Sequence, residues 1–127
     1  MSMICPECGS NTLEITQSLD LPPDGRNDEI ILQVVQCGAC KFHGLAVYGE
    51  SRRGALDSDS WEHEGYRVDE QNFQVVVNAI RQCPKPGDRR CQCSTHQSYG
   101  QPTENRWDGL TKNGIKILGY FDIKIEN

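Results

Sequence analysis

Two pairs of cysteines with the same short spacing are the clearest chemical feature of the sequence. Cys5 and Cys8 form one pair, and Cys37 and Cys40 form the other. Two intervening residues let both thiolates of a pair reach one ion from a tight turn, so the four sulfurs predict a tetrahedral zinc site. Gly9 lets the backbone turn without a Cβ clash. Unligated buried cysteines and a redox role are the alternatives, although no thioredoxin-like βαβ pattern surrounds either pair.

These two segments resemble a known group of proteins. Cys5-Pro6-Glu7-Cys8-Gly9 and Cys37-Gly38-Ala39-Cys40 are similar to the two knuckles of zinc-ribbon proteins, over about residues 4–48. The resemblance implies a structural zinc and a three-stranded sheet. The pairs lie further apart than in the tightest ribbons, and a turn at residues 22–28 absorbs the excess. No single function is implied, because ribbons occur in transcription, translation, nucleic-acid enzymes and adaptors.

A second group of potential ligands uses every remaining cysteine. Cys83, Cys91, Cys93 and His96 follow the pattern Cys-x₇-Cys-x-Cys-x₂-His. Three thiolates and one imidazole would complete a tetrahedral site, which predicts a second zinc. A flexible loop with oxidation-prone thiols and a partly open catalytic zinc are the alternatives.

Basic residues gather in two places and could contact an anion, a nucleic acid or an acidic protein face. One group surrounds the second cluster, and the other precedes a glycine; in both places a plain solvated loop is the alternative. The candidate residues are Arg52, Arg53, Arg81, Lys85, Arg89 and Arg90.

Composition limits the classes of function. The chain has 127 residues, seven cysteines and a formal net charge of -5, and 36% of its residues are hydrophobic. Zinc bound by four thiolates would add about -2 more, so a broad grip on nucleic acid is not expected. There is no long apolar run and no signal-peptide pattern, which predicts a cytoplasmic protein with no membrane contact. In a reducing compartment, clustered cysteines indicate metal rather than disulfides.

The pattern of apolar residues predicts a small α+β fold in a single domain over residues 1–127. Its zinc-ribbon part spans residues 1–49, with strands at 13–21, 30–36 and 42–48. Leu13, Ile15, Leu19 and Leu21 would share one face of the first strand. A charged loop is predicted at residues 50–66, and residues 67–127 hold the rest.

That last part is predicted to contain one helix, the second Cys/His knuckle and a C-terminal hairpin. Asp69 is the expected N-cap, and the helix should end before Pro84. Residues 83–101 read as irregular. Asn113-Gly114 indicates a type I′ turn between a strand at 106–112 and a longer strand at 115–125, whose Ile/Phe face would pack on the helix. If it lies at a sheet edge, this strand could pair with a second copy.

Three hypotheses for function follow. The first is a zinc-binding interaction module, an adaptor or accessory subunit that binds another protein. The second is a nucleic-acid-binding ribbon using the local basic residues, and the third is a zinc enzyme at the second cluster. The sequence favours a non-enzyme without deciding the matter, since Glu62 and Glu64 would share a strand face that His63 does not. The oligomeric state stays open.

Overall fold

The computed structural model describes residues 3–25, 28–51, 60–100 and 107–124. In these ranges the chain forms a five-stranded antiparallel sheet with three helices, so the α+β class is confirmed. The strands lie in sequence order, β1-β2-β3-β4-β5. Their bounds are β1 Leu13–Leu21, β2 Glu29–Cys37, β3 His43–Ser51, β4 Ser60–Arg67 and β5 Gly119–Asp122, and the helices are α1 Glu70–Gln82, α2 Ser94–Tyr99 and α3 Gly109–Lys112.

The first three strands confirm the prediction closely, but β1 does not keep one apolar face. The pairing with β2 shifts between Ile15 and Gln17, where an extra residue makes a β-bulge. A bulge reverses the alternation of side chains along a strand. Leu13 therefore lies on one face of the sheet, whereas Leu19 and Leu21 lie on the other.

Each face of the sheet carries its own apolar cluster. On the face that α1 covers, here called the helical face, Leu32 and Leu45 pack against the helix. On the opposite face, Met3, Leu13 and Phe121 form a smaller cluster. Because neither cluster is large, a cross-link at its edge would stabilise each of them.

Helix α1 matches its prediction at both ends. The Asp69 side chain accepts a hydrogen bond from the amide of Asn72 at 2.7 Å, which caps the N-terminus. The helix ends at Gln82, just before Cys83 and Pro84. Its buried stripe is Phe73, Val76, Val77 and Ile80.

The predicted charged loop at residues 50–66 is wrong for its second half. Residues Ser60–Arg67 form β4, which pairs with β3 over seven residues from Ser60 to Tyr66. The strand was missed because its alternation places charged residues, not apolar ones, on the helical face. Residues 52–59 lie outside the described part of the chain.

The predicted C-terminal hairpin is also wrong. Residues Gly109–Lys112 are helical, and β5 spans only four residues and pairs with β4. Gly114, at φ 75°, ends helix α3 instead of forming a hairpin turn, and its amide donates to the Thr111 carbonyl. Phe121 packs on the opposite face of the sheet, whereas Ile115 does join the core beneath α1.

Residues 83–101, predicted to be irregular, contain helix α2. None of the described helices is long and apolar enough to cross a membrane.

Gly65→Ala is expected to destabilise the protein by about 2 kcal/mol. A Cβ at Gly65 would overlap the ring of Phe121, which lies over this glycine and is buried. Chemical denaturation of the metal-loaded protein measures the effect. Gly87→Ala is the matched control, because its Cβ would meet open space. A Gly65→Ala protein within about 0.5 kcal/mol of wild type would contradict this packing.

Candidate metal centres

The structure brings the first four cysteines together at one end of the sheet. Cys5, Cys8, Cys37 and Cys40 form the first cluster, with all four sulfurs within 4.8 Å of one another. The Cys5–Cys40 and Cys8–Cys37 sulfur separations are 3.6 and 3.8 Å. Four sulfurs about 2.3 Å from a tetrahedral ion would lie about 3.8 Å apart. The first cluster can therefore hold one metal ion.

The two knuckles of this cluster have matching backbones. In the first, the Gly9 amide donates to the Cys5 carbonyl; in the second, the Lys41 amide donates to the Cys37 carbonyl. Both residues after the second cysteine adopt left-handed conformations, with φ of 73° at Gly9 and 66° at Lys41. The role predicted for Gly9 is thus seen, and a lysine serves the same turn in the second knuckle.

Hydrogen bonds to sulfur favour the thiolate form of Cys37. The Thr12 hydroxyl lies 3.1 Å from its Sγ, and the amides of Ala39 and Cys40 donate to the same atom at 3.4 and 3.5 Å. The Thr12 contact and these amides lower the pKa of the Cys37 thiol to about 6. A thiolate is the form that binds metal, so the Thr12 contact would favour metal binding by Cys37.

An ion pair joins the first knuckle to the end of strand β4. Arg67, at the end of β4, pairs with Glu7, which lies between the two cysteines of that knuckle. The guanidinium also lies over the ring of Phe42, 5.4 Å from its centroid. This arrangement orients the knuckle relative to β4.

The second group of predicted ligands also converges. Cys83, Cys91, Cys93 and His96 form the second cluster, again with all four ligand atoms within 4.8 Å. The sulfurs of Cys83 and Cys91 are 3.9 Å apart, and His96 Nδ1 lies 3.2 Å from Cys83 Sγ and 3.3 Å from Cys93 Sγ. Three sulfurs and one nitrogen can hold one metal ion.

The imidazole of His96 is oriented for metal binding by its other nitrogen. Nε2 lies 2.9 Å from the backbone carbonyl of Asp20 on β1, which can only accept a hydrogen bond. The proton of a neutral ring therefore resides on Nε2, and the Nδ1 lone pair points at the three sulfurs. Ligating histidines commonly have such a carbonyl partner. His96 is 3% exposed, so this arrangement is shielded from water.

Local structure places each ligand of the second cluster. Cys83 ends α1, and Cys93 is the N-cap of α2, its sulfur accepting from the amide of His96. Burial raises the pKa of the Cys93 thiol, but the hydrogen bond from the His96 amide and the side-chain contacts with His96, Cys83 and Cys91 outweigh it and bring the pKa to about 6. Burial and the adjacent Cys93 sulfur raise that of Cys83 to about 12. Because thiols bind metal as thiolates, a bound metal ion would displace the protons that remain on these cysteines.

The loop carrying the second cluster is fastened to β1 and α1. The Asp20 amide donates to the Pro86 carbonyl at 2.8 Å, and the Thr95 hydroxyl donates to the Ala79 carbonyl at 2.7 Å. Together with His96, these contacts fix the cluster against the helical face of the sheet.

Four of the six predicted basic residues lie in the part of the chain that the structure describes. Arg81, Lys85, Arg89 and Arg90 are exposed, and the guanidinium of Arg89 donates to the Asp28 carbonyl at 3.2 Å. Arg89 and Arg90 share a surface pocket with carboxylates, which offset their charge; these are Asp20, Glu29 and Asp88. Arg52 and Arg53 lie outside the described residues. Contact with an anion or a nucleic acid stays a prediction.

Sequence reasoning missed an acidic, aromatic groove on the helical face. It is lined by residues of β4, α3 and β5, and its volume is about 290 Å³. The alternation of Glu62, Glu64 and Tyr66 was its only sequence signal. His63 lies on the opposite face, as expected, with Nε2 2.5 Å from the Gln33 side-chain oxygen.

No protein-family model, curated protein or solved structure matches this chain. The likeness to zinc ribbons rests on the two knuckles of the first cluster.

Thr12→Val should weaken Zn²⁺ binding at the first cluster by about tenfold, because the Cys37 thiolate loses a hydrogen-bond donor. Competition with a chromophoric chelator measures the affinity, and Thr12→Ser should restore it. Thr16→Val is the control, since that hydroxyl contacts the Val34 carbonyl instead of a sulfur. Equal losses in the two valine variants would mean that the Thr12 hydroxyl has no specific role.

Proposed function

We propose that each cluster binds one Zn²⁺ and that the zinc-stabilised fold is an interaction module for another protein. Thiolate and imidazole donors in groups of four are typical of zinc. The single observation that supports metal binding most directly is the hydrogen bond from His96 to the Asp20 carbonyl, which aims Nδ1 at three sulfurs.

The number of ligands favours a structural role for both ions. Each cluster supplies four protein donors. Catalytic zinc sites usually keep one coordination position for water or substrate, whereas structural sites are closed by protein ligands. In addition, His96 is buried. These features disfavour the hypothesis of a zinc enzyme at the second cluster.

Exposed apolar side chains support the interaction role. Leu118 and Tyr120 are 58% and 64% exposed. Tyr120 lines the groove on the helical face together with Trp107, Leu110 and Ile117. Adjacent apolar and aromatic groups that remain in water commonly mark a contact surface for a protein.

Native mass spectrometry should find two zinc ions per wild-type chain and one in the variant carrying Cys91→Ser with Cys93→Ser. The double substitution removes two of the four donors of the second cluster and none of the first. A matched variant, Cys5→Ser with Cys8→Ser, should also retain one ion. One zinc in the wild type, unchanged by Cys91→Ser with Cys93→Ser, would contradict the second site.

Photo-cross-linking tests the interaction role. A photoreactive phenylalanine analogue at Leu118, in cells that produce the protein, should give one discrete adduct. The same analogue at Glu14, an exposed residue of β1 far from the groove, is the control. The partner, identified by mass spectrometry, should bind the purified zinc-loaded chain with a Kd below about 10 μM. Adducts of equal yield and identity from both positions, or none from Leu118, would contradict the proposal.

A further inference from the structure

The two clusters differ in how far their ligands are exposed to solvent. In the first cluster, Cys8 and Cys40 are exposed, whereas Cys5 and Cys37 are buried. Every ligand of the second cluster is buried or half-buried. Because oxidation of cysteine follows thiolate character and exposure, a small oxidant in solution would react more readily with the first cluster than with the second.

Each exposed sulfur of the first cluster contacts a buried sulfur of the other knuckle. Cys40 Sγ lies 3.6 Å from Cys5 Sγ, and Cys8 Sγ lies 3.8 Å from Cys37 Sγ. Three hydrogen-bonding groups surround the sulfur of Cys37, whereas the Glu7 amide lies 3.4 Å from that of Cys5. Donors that stabilise a thiolate also reduce its nucleophilicity. Cys5 and Cys40 are therefore the pair best placed to form a bond.

Contacts that involve no sulfur hold the first knuckle beside the sheet. The Met3 amide donates to the Leu13 carbonyl at 2.8 Å, and the Ile4 amide donates to the Lys124 carbonyl at 2.9 Å. The ion pair of Glu7 with the end of β4 adds a side-chain contact. The sulfurs of the two knuckles would therefore stay close enough to react if the ion left.

We propose that the first cluster is a site of reversible oxidation, at which hydrogen peroxide joins Cys40 to Cys5 in a disulfide and the zinc ion is released. The inference rests on the zinc binding proposed above. After oxidation only Cys8 and Cys37 remain as thiolate donors, and two donors bind zinc far more weakly than four. The disulfide keeps the chain ahead of β1 tied to the turn between β2 and β3, and the shielded second cluster keeps its ion.

The reaction balances with hydrogen peroxide as the oxidant. The Cys40 thiolate attacks one peroxide oxygen, the O–O bond breaks, hydroxide leaves and Cys40 becomes a sulfenic acid. The Cys5 thiolate then attacks the Cys40 sulfur, so that the S–S bond forms, the S–O bond breaks and a second hydroxide leaves. The two sulfurs lose two electrons in all, and two protons from solvent convert both hydroxides to water. A dithiol reverses the bond by exchange.

Zinc release in excess hydrogen peroxide, followed with a chromophoric chelator, tests whether the first cluster is the reactive one. The two serine double variants of the full chain isolate the clusters. The zinc-loaded chain with Cys91→Ser and Cys93→Ser, which keeps the first cluster, should release its ion at least about fivefold faster than the chain with Cys5→Ser and Cys8→Ser. Equal rates, or faster release from the second cluster, would overturn the proposal.

Peptide mapping of the oxidised wild-type chain identifies the bond. After the remaining thiols are alkylated, the digest should contain a disulfide between Cys5 and Cys40, with the alkyl label on Cys8 and Cys37. Dithiothreitol with added Zn²⁺ should restore the loaded mass. A disulfide within either knuckle, or failure to restore the loaded form, would overturn the proposal.

Cys40→His and Cys8→His are matched variants, because each exchanges one exposed sulfur for an imidazole and keeps four donors. Both should hold two zinc ions before oxidation. Cys40→His should release the first ion about tenfold more slowly than wild type, because the sulfur that attacks peroxide is absent, and Cys8→His should stay within about twofold. Equal slowing in the two variants would overturn the proposal.

The two proposals fail in different ways. A wild-type chain that holds no zinc at the first cluster before peroxide is added would contradict the proposed zinc binding. A chain that holds both ions and keeps the first one in peroxide would overturn the proposed oxidation and leave zinc binding in place.

Discussion

Convergence of seven sulfurs and one imidazole nitrogen into two tetrads is the constraint on which the rest of the structure depends. The first tetrad joins Cys5 to Cys40, 35 residues apart in sequence, and so ties the chain ahead of β1 to the turn between β2 and β3. The second joins the end of α1 to α2, and through His96 reaches the backbone of β1. Because closing such loops costs conformational entropy, free energy of metal binding at both tetrads would be free energy of folding.

Each tetrad extends a different core. Cys5 and Cys37 belong to the apolar cluster on the opposite face of the sheet. Cys83 belongs to the cluster beneath α1, and Cys91 and Cys93 pack against that cluster. The β-bulge in β1 makes this division possible, because it sends Leu13 to one face and Leu19 to the other. Each core thus has one of the two tetrads at its margin, and among the described residues the groove lies on the part of the helical face beside Trp107, α3 and β5.

Sequence reasoning predicted what depends on local spacing. The two Cys/His groups, the cap at Asp69 and the end of α1 before Pro84 follow from short-range chemistry; the structure brings each group together and has the cap and the helix end. It failed where tertiary pairing overrides local pattern: β4 is a charged strand specified by its neighbours, and Asn113-Gly114 ends a short helix instead of turning a hairpin. The carbonyl of Asp20 that orients His96 was beyond reach, because a backbone group leaves no trace in sequence.

X-ray absorption at the zinc edge of the fully loaded wild-type protein tests whether both tetrads are closed by protein ligands. Closed tetrads predict a total of seven sulfur donors and one nitrogen donor over the two ions. The expected Zn–S distances are about 2.3 Å and the Zn–N distance is about 2.0 Å. Scattering from a single imidazole should be visible and should disappear in His96→Cys. A shell with two or more oxygen or nitrogen donors per ion would contradict this prediction, because at least one tetrad would then not be a closed protein site.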